Sequence, residues 1–196
     1  YPWPADVGRL CLVRKHSPSG RDSRDGRRVV GADGALIDCY TSRMSPTVAP
    51  LALRVANLRK AYKDVVAVDG IDLSVRTGEC FGLLGPNGAG KTTTIEICEG
   101  LTEPDSGDVE VLGLRWASDA QALRQRLGIQ LQETQLADKL TVAETLRLFR
   151  SFFDRGPAPE DVIALVQLEE KRAARVSDLS GGQKQRLALA CALVGD

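Results

Sequence analysis

The pattern of apolar and polar positions changes character near residue 50. Before it, RKHSPSGRDSRDGRR (Arg14 to Arg28) is charged, rich in Ser and Gly, and without a period. Such a stretch cannot bury enough apolar surface to order itself. From Leu51 the texture is different. LALRVANL (Leu51 to Leu58) alternates like a half-buried strand. VVAVDGIDLSV (Val65 to Val75) predicts a second strand after an Asp69-Gly70 turn signal. Glu79 to Leu84 is a short, nearly continuous apolar run, the pattern of a buried parallel strand. A glycine-rich stretch follows at once, and Thr92 to Glu99 then reads as a helix ended by Gly100. DVEVL (Asp108 to Leu112) alternates as a strand, and Leu127 to Leu131 predicts another, closing on Gln132. Thr141 to Phe153 predicts a helix, with Thr141 and Glu144 spaced as a capping box. Pro157 and Pro159 break the chain before a helix from Glu160 to Val166. Gln183 to Val194, rich in Leu and Ala, predicts the last helix.

Composition sharpens this division. The chain has 196 residues, no formal net charge and 43% hydrophobic residues, which suits one domain with a tail. Residues 1–48 are expected to be a disordered tail and 49–196 a folded domain. Residues 1–49 carry eight Lys/Arg against five Asp/Glu, and the remainder eighteen against twenty-one. A mildly acidic domain is a poor candidate for coating nucleic acid, and acidic residues interrupt any basic arm in the tail. The chain begins with Tyr1, and its only methionine is Met44, which is the expected true start. Five cysteines without a C-x-x-C pair argue against a metal site. Cys80, Cys98 and Cys191 are expected to be small buried hydrophobes in a reducing cytosol. No apolar run approaches the roughly 20 residues that span a bilayer. Arg9, Arg14 and Lys15 bracket too short an apolar stretch for a secretory signal. Service to a membrane would then come from the cytosolic side, through a partner.

The chemistry concentrates in GPNGAGKT, Gly85 to Thr92. Gly85, Gly88 and Gly90 free the backbone to adopt conformations that a side chain forbids. Successive N–H groups, with those of Asn87 and Ala89 among them, can then point inward and cradle phosphate oxygens. The positive end of the following helix assists. Lys91 would reach the β- and γ-phosphates, the Thr92 hydroxyl would ligate Mg²⁺, and Thr93 could donate to a phosphate oxygen. Strand, glycine loop and helix in that order are the context a genuine phosphate-binding loop requires.

LSGGQKQRL (Leu179 to Leu187) follows downstream on the same chain. With the phosphate loop before it, residues 51 to 196 resemble the nucleotide-binding domain of the ATP-binding cassette (ABC) family. The resemblance implies an α/β fold. A P-loop NTPase core with a parallel sheet would carry an antiparallel β subdomain and a helical subdomain bearing the signature. It implies ATP and Mg²⁺ as cofactors. In the family the signature closes over ATP held by a second subunit. Ser180 would donate a hydroxyl, Gly181 and Gly182 would allow close backbone approach, and Gln183 would begin a helix aimed at the γ-phosphate. The same residues are also good helix-capping chemistry. Tyr62 matches the aromatic that stacks on adenine. Gln132 matches the glutamine that touches Mg²⁺ or the attacking water and leads towards the membrane subunit.

The resemblance also implies residues that cannot be assigned here. The family continues with a strand ending in a magnesium-binding Asp, a catalytic Glu, a further Asp and a switch His. The only histidine is His16, far upstream, and Asp196 falls too early to be the strand-end Asp. Residues 44–196 are therefore expected to bind ATP without hydrolysing it, as the incomplete domain of a longer ATPase. The leading expectation is the ATP-binding subunit of a transporter. TEPDSGDVEVLG (Thr102 to Gly113) and LSGGQKQRLALACALVGD (Leu179 to Asp196) look most like exporters of bacterial drug-efflux type, with an importer ATPase as the nearest sibling. Its partners would be an integral-membrane permease subunit and a second ATP-binding subunit, identical or homologous. It would lie in the cytoplasm, peripheral on the inner face of the membrane. Chromosome and repair ATPases are disfavoured, because the interval between the motifs holds neither heptads nor paired cysteines. A translation-linked ATPase and a non-catalytic ATP-binding remnant stay as alternatives.

Overall fold

The computed structural model describes residues 10–13, 26–30, 36–42, 50–130 and 135–195. The chain forms two compact units, one from Lys15 to Leu123, the other from Tyr1 to Arg14 together with Arg124 to Asp196.

In the first unit, β4 (Leu51–Tyr62) and β5 (Val65–Arg76) form an antiparallel hairpin, and β7 (Ser106–Val111) pairs with the other edge of β4. Alternation sends Leu53, Val55 and Leu58 inward, where Val68, Ile71, Val75 and Val111 are also buried. The hairpin turns at Lys63-Asp64, with Lys63 at φ 52°. The Asp69-Gly70 signal therefore does not mark a turn. Gly70, at φ 72°, is the extra residue of a bulge between the pairs Leu58↔Ile71 and Arg59↔Asp69. Opposite it, the Asn57 N–H donates to the Asp72 carboxylate at 2.8 Å.

Strand β6 (Cys80–Leu84) leads into the glycine loop and α1 (Lys91–Cys98). The N–H groups of Gly100 and Leu101 close on the carbonyls of Ile97 and Glu96, the double bond of a Schellman stop. β6 pairs antiparallel with β3 (Leu36–Ser42), which pairs antiparallel with β2 (Gly26–Val30). A five-residue apolar run does not fix the direction of its partner, so the parallel pairing expected for β6 is not the one observed. The strand is half-buried rather than sealed on both faces, and Cys80 is exposed, against expectation. β2 and β3, with β1 (Leu10–Val13), also lie within the stretch expected to be without structure. The β-branched and aromatic residues of RRVV and LIDCYTS favour pairing locally, a signal hidden by the charged average around them. Helix α2 (Trp116–Arg126) is a further element that its polar sequence did not announce; it buries only Leu123 fully.

In the second unit, β1 pairs parallel with β8 (Leu127–Gln130). Three helices, α3 (Val142–Arg150), α4 (Pro159–Leu165) and α5 (Gly181–Leu193), pack around one core. Val142, Leu146, Val162, Ile163, Leu168, Leu187 and Val194 are almost wholly buried. The expected capping box on α3 is present: the Thr141 hydroxyl accepts the Glu144 N–H at 3.2 Å, and the Glu144 carboxylate accepts the Thr141 N–H at 2.8 Å. The α/β class with an antiparallel sheet and a separate helical part is thus the observed one.

Candidate functional site: a phosphate loop and a glycine-capped helix

The phosphate loop runs from Gly85 to Gly90 between β6 and α1. Gly85, Asn87 and Gly88 are exposed, while Ala89 is buried and pins the loop to the body of the unit. Gly90 is the N-cap of α1 in the left-handed region, at φ 80°. A Cβ there would lie 2.1 Å from the Ala67 carbonyl oxygen, so β5 and the loop touch backbone to backbone. That contact requires glycine. The first turn of α1, carrying Lys91, Thr92 and Thr93, presents N–H groups that a helix cannot satisfy internally. Lys91 folds over the loop, its ammonium donating to the Pro86 carbonyl. The ammonium is thus held against the backbone of the loop. Thr94 anchors the helix start from inside, its hydroxyl donating to the Gly90 carbonyl at 2.9 Å. A glycine-rich backbone, a helix N-terminus and one ammonium suit a polyphosphate, and the Thr92 hydroxyl is of the kind that binds the hard cation accompanying it.

Tyr62 ends β4 in the same unit and is 47% exposed. The hairpin that carries it is the one whose Ala67 meets Gly90. The Lys60 ammonium lies over the Tyr62 ring, 5.5 Å from its centroid. Asp105 accepts from that ammonium at 2.8 Å and from the Ala61 N–H at 2.7 Å. These bonds hold the Asp105 carboxyl below the usual carboxylate range and raise the Lys60 ammonium above its ordinary value. Sequence reasoning missed this pair; its one legible hint was the acidic residue just before the Ser106-Gly107 step into β7. Cys98, next to α1's end, is buried, and burial pushes its thiol up to about 12, as it does for Cys191. Both pack in the interior, where the thiolate form is disfavoured.

The signature lies in the other unit. Ser180 is the N-cap of α5, its hydroxyl accepting the Gln183 N–H at 3.3 Å while the Gln183 amide oxygen accepts the Ser180 N–H at 2.9 Å. The helix starts at Gly181, two residues before the expected Gln183, because this reciprocal cap draws both glycines into its first turn. Leu179 is buried just before the cap, and the Val176 N–H donates to the Leu140 carbonyl at 2.9 Å, so the approach to the cap is tied to the start of α3. Gly181 and Gly182 are exposed, and a Cβ on either would meet nothing within 4 Å. Neither has a positive φ. The described residues therefore give no steric reason for two glycines there. Gln132 lies outside the described residues.

Taken together, the fold and the loop define a P-loop nucleotide-binding domain. Comparison with known proteins carries this further. The ABC transporter family profile matches residues 68–196. A Nod factor export ATP-binding protein I from Burkholderia orbicola is 45% identical over 157 residues, covering 76% of this chain and 50% of that protein. One from Rhizobium meliloti is 42% identical over 156 residues, covering 77% and 46%. Among solved structures, a dimeric post-hydrolysis state of an ATP-binding cassette bound to ADP and Pi matches with a TM-score of 0.61. It is 26% identical and covers 72% of this chain and 69% of that one. The ATP-binding subunit of an ABC transporter matches with a TM-score of 0.59 at 25% identity, covering 71% and 60%. This chain belongs to the ABC transporter family, as one of its ATP-binding domains. It spans about half the length of the curated relatives it matches.

Proposed function

We propose that this chain is the ATP-binding part of an export ATPase that powers a separate membrane permease. MgATP would sit in the Gly85–Thr93 loop, its adenine on Tyr62. Backbone N–H groups and Lys91 would hold the β- and γ-phosphates, and Thr92 and Gln132 would hold Mg²⁺. Ser180, Gly181, Gly182 and Gln183 would close over ATP bound by a second copy or a homologue. Opening and closing of that pair would drive the permease between states. ATP hydrolysis would power that cycle.

The observation that carries the reading is the pair Gly181 and Gly182. Glycine in the middle of a helix costs roughly 0.5–1 kcal/mol relative to alanine, an upper bound for the first turn. Among the described residues that cost has no return, since a Cβ at either position meets nothing within 4 Å. It has one if another molecule's phosphate must approach the α5 N-terminus at backbone distance. Export is favoured over import by the relatives named for Nod factor export. A seat on the inner face of the membrane follows from a permease partner, and no helix among the described residues is long and apolar enough to cross a membrane.

The test is equilibrium binding of a fluorescent ATP analogue with Mg²⁺, alongside light scattering. Lys91→Ala should weaken binding about tenfold or more, the effect of a lost charge-assisted bond. Gly182→Arg should leave binding intact while removing any ATP-dependent dimer. Wild-type affinity in Lys91→Ala would refute the site.

A further inference from the structure

We propose that Asp105 is a positioning residue for the nucleotide base: it holds the last residues of β4 so that one face of Tyr62 stays open to adenine. The proposal deepens the reading above and rests on Tyr62 being the adenine platform.

β7 accompanies β4 only as far as Arg59↔Ser106. Lys60, Ala61 and Tyr62 therefore run past the end of that edge, next to the Lys63-Asp64 turn, with β5 as their one strand neighbour among the described residues. A strand end with one free edge frays unless something else takes its N–H groups. Asp105, the residue just before β7, takes that place. Its N–H donates to the Arg59 carbonyl at 3.0 Å, its Oδ2 accepts the Ala61 N–H at 2.7 Å, and its Oδ1 accepts the Lys60 ammonium at 2.8 Å. One residue thus engages three consecutive residues leading to Tyr62, continuing the ladder with a side chain.

The Lys60 bond does a second job. The Lys60 side chain is only 16% exposed, and its ammonium sits over the Tyr62 ring. A cation on a ring face is attracted by the quadrupole and occupies that face. The ring is half exposed, and a planar ligand would stack on its surface away from Lys60. Asp105 fixes Lys60, and Lys60 fixes which face of Tyr62 is presented. Without Asp105 the tip must be ordered when the base binds, which weakens binding through the base and leaves the phosphate contacts unchanged.

The experiment uses the full 196-residue chain and competition against a fluorescent ATP analogue. Two competitors are compared: MgATP, which has the base, and magnesium tripolyphosphate, which lacks it. Tyr62→Ala should weaken MgATP about five- to hundredfold, the range of one lost base stack, and leave tripolyphosphate unchanged. Asp105→Ala should weaken MgATP about three- to tenfold, again sparing tripolyphosphate. Asp105→Asn keeps an acceptor for the Ala61 N–H but loses the ion pair, and should fall between wild type and alanine. The Tyr62→Ala, Asp105→Ala double variant should bind no more weakly than Tyr62→Ala alone, because Asp105 acts through the ring. Two results would overturn the positioning role while sparing the platform: equal loss for both competitors in Asp105→Ala, or additive losses in the double variant. A Tyr62→Ala variant with wild-type MgATP affinity would overturn both.

Discussion

Replacing Gly90 by alanine isolates what the phosphate loop demands of its backbone. Two penalties combine. Gly90 sits at φ 80°, where an L-residue costs about 1–2 kcal/mol. The new methyl would also stand 2.1 Å from the Ala67 carbonyl oxygen and 3.3 Å from Val68 Cγ2, whereas real Cβ atoms essentially never come within 3.0 Å of such a neighbour. The obstructing oxygen belongs to the backbone of β5, so no rotamer change relieves it. The loop and strand must part by about an ångström, an overpacking cost of roughly 1–3 kcal/mol. The sum, about 2–5 kcal/mol, is a large share of the 5–15 kcal/mol that typically holds a domain together. Gly88→Ala is the matched control: φ is 88°, but nothing lies within 4 Å, so only the conformational penalty applies. Urea unfolding followed by circular dichroism reads both variants, with binding of a fluorescent ATP analogue as the second measure. Gly90→Ala should lower the midpoint clearly more than Gly88→Ala and should bind nucleotide worse even when folded. Equal midpoints for the two variants would mean that the Ala67 contact is not a constraint, and the account of the loop would fail.

Other expectations use the same reasoning. Ser180→Ala should cost about 1 kcal/mol of stability through loss of the α5 cap, with Ser180→Asp retaining most of it; thermal unfolding of both variants checks this. Gly182→Ala should leave the stability of the chain unchanged or raise it by up to about 1 kcal/mol, since the added methyl meets nothing; a clear loss would remove the argument for an outside partner. Glu144, Asp105 and Asp108 have carboxyls held below their ordinary values, by the Thr141 N–H and hydroxyl, by Lys60 and the Ala61 N–H, and by Arg115 respectively. A depressed carboxyl stabilises the fold above its unfolded value and loses that contribution as pH falls through the folded one. Stability should therefore decline on acidification from about pH 5 downward, and Glu144→Gln should flatten the decline. In the folded chain at pH 8, an alkylating reagent should label exposed Cys80 and spare Cys98 and Cys191, as peptide mapping by mass spectrometry would read.

How much of this was legible depends on whether a feature is local. The α3 start needed only Thr141 and Glu144 at the right spacing, and the stop of α1 needed only Gly100, so both could be read directly. The hairpin turn was misread because Lys63, at φ 52°, carries no turn signature, whereas Asp69-Gly70 carries one and uses it for a bulge inside a continuous strand. A bulge and a turn ask the same freedom of glycine, and only the partner strand distinguishes them. The exposure of Cys80 and the antiparallel partner of β6 were out of reach for a similar reason, since both depend on what covers the strand. The phosphate loop was legible as chemistry, but the need for glycine at position 90 depends on Ala67, twenty-three residues earlier.

Gly90 and the pair Gly181–Gly182 show how the origin of a constraint can be found within a single chain. At Gly90 the constraint is internal: a methyl collides with β5, and stability should register the change. At Gly181 and Gly182 a methyl collides with nothing, so stability should not register it. Yet Ser180 and Gln183 bracket them in a complete capping box that would form equally well around two alanines, because the cap uses backbone N–H groups and the two flanking side chains. The helix start is thus fully specified without the glycines, and their effect is to keep the α5 N-terminus bare. A bare helix N-terminus with oriented N–H groups suits an anion approaching from outside the chain. The loop at Gly85–Gly90 suits an anion held within its own unit. In the function proposed above, the signature covers a nucleotide gripped by the loop of a second copy or a homologue. It follows that alanine at Gly182 should separate the two functions, sparing ATP binding while weakening ATP-dependent pairing. A variant that lost both together would contradict this division.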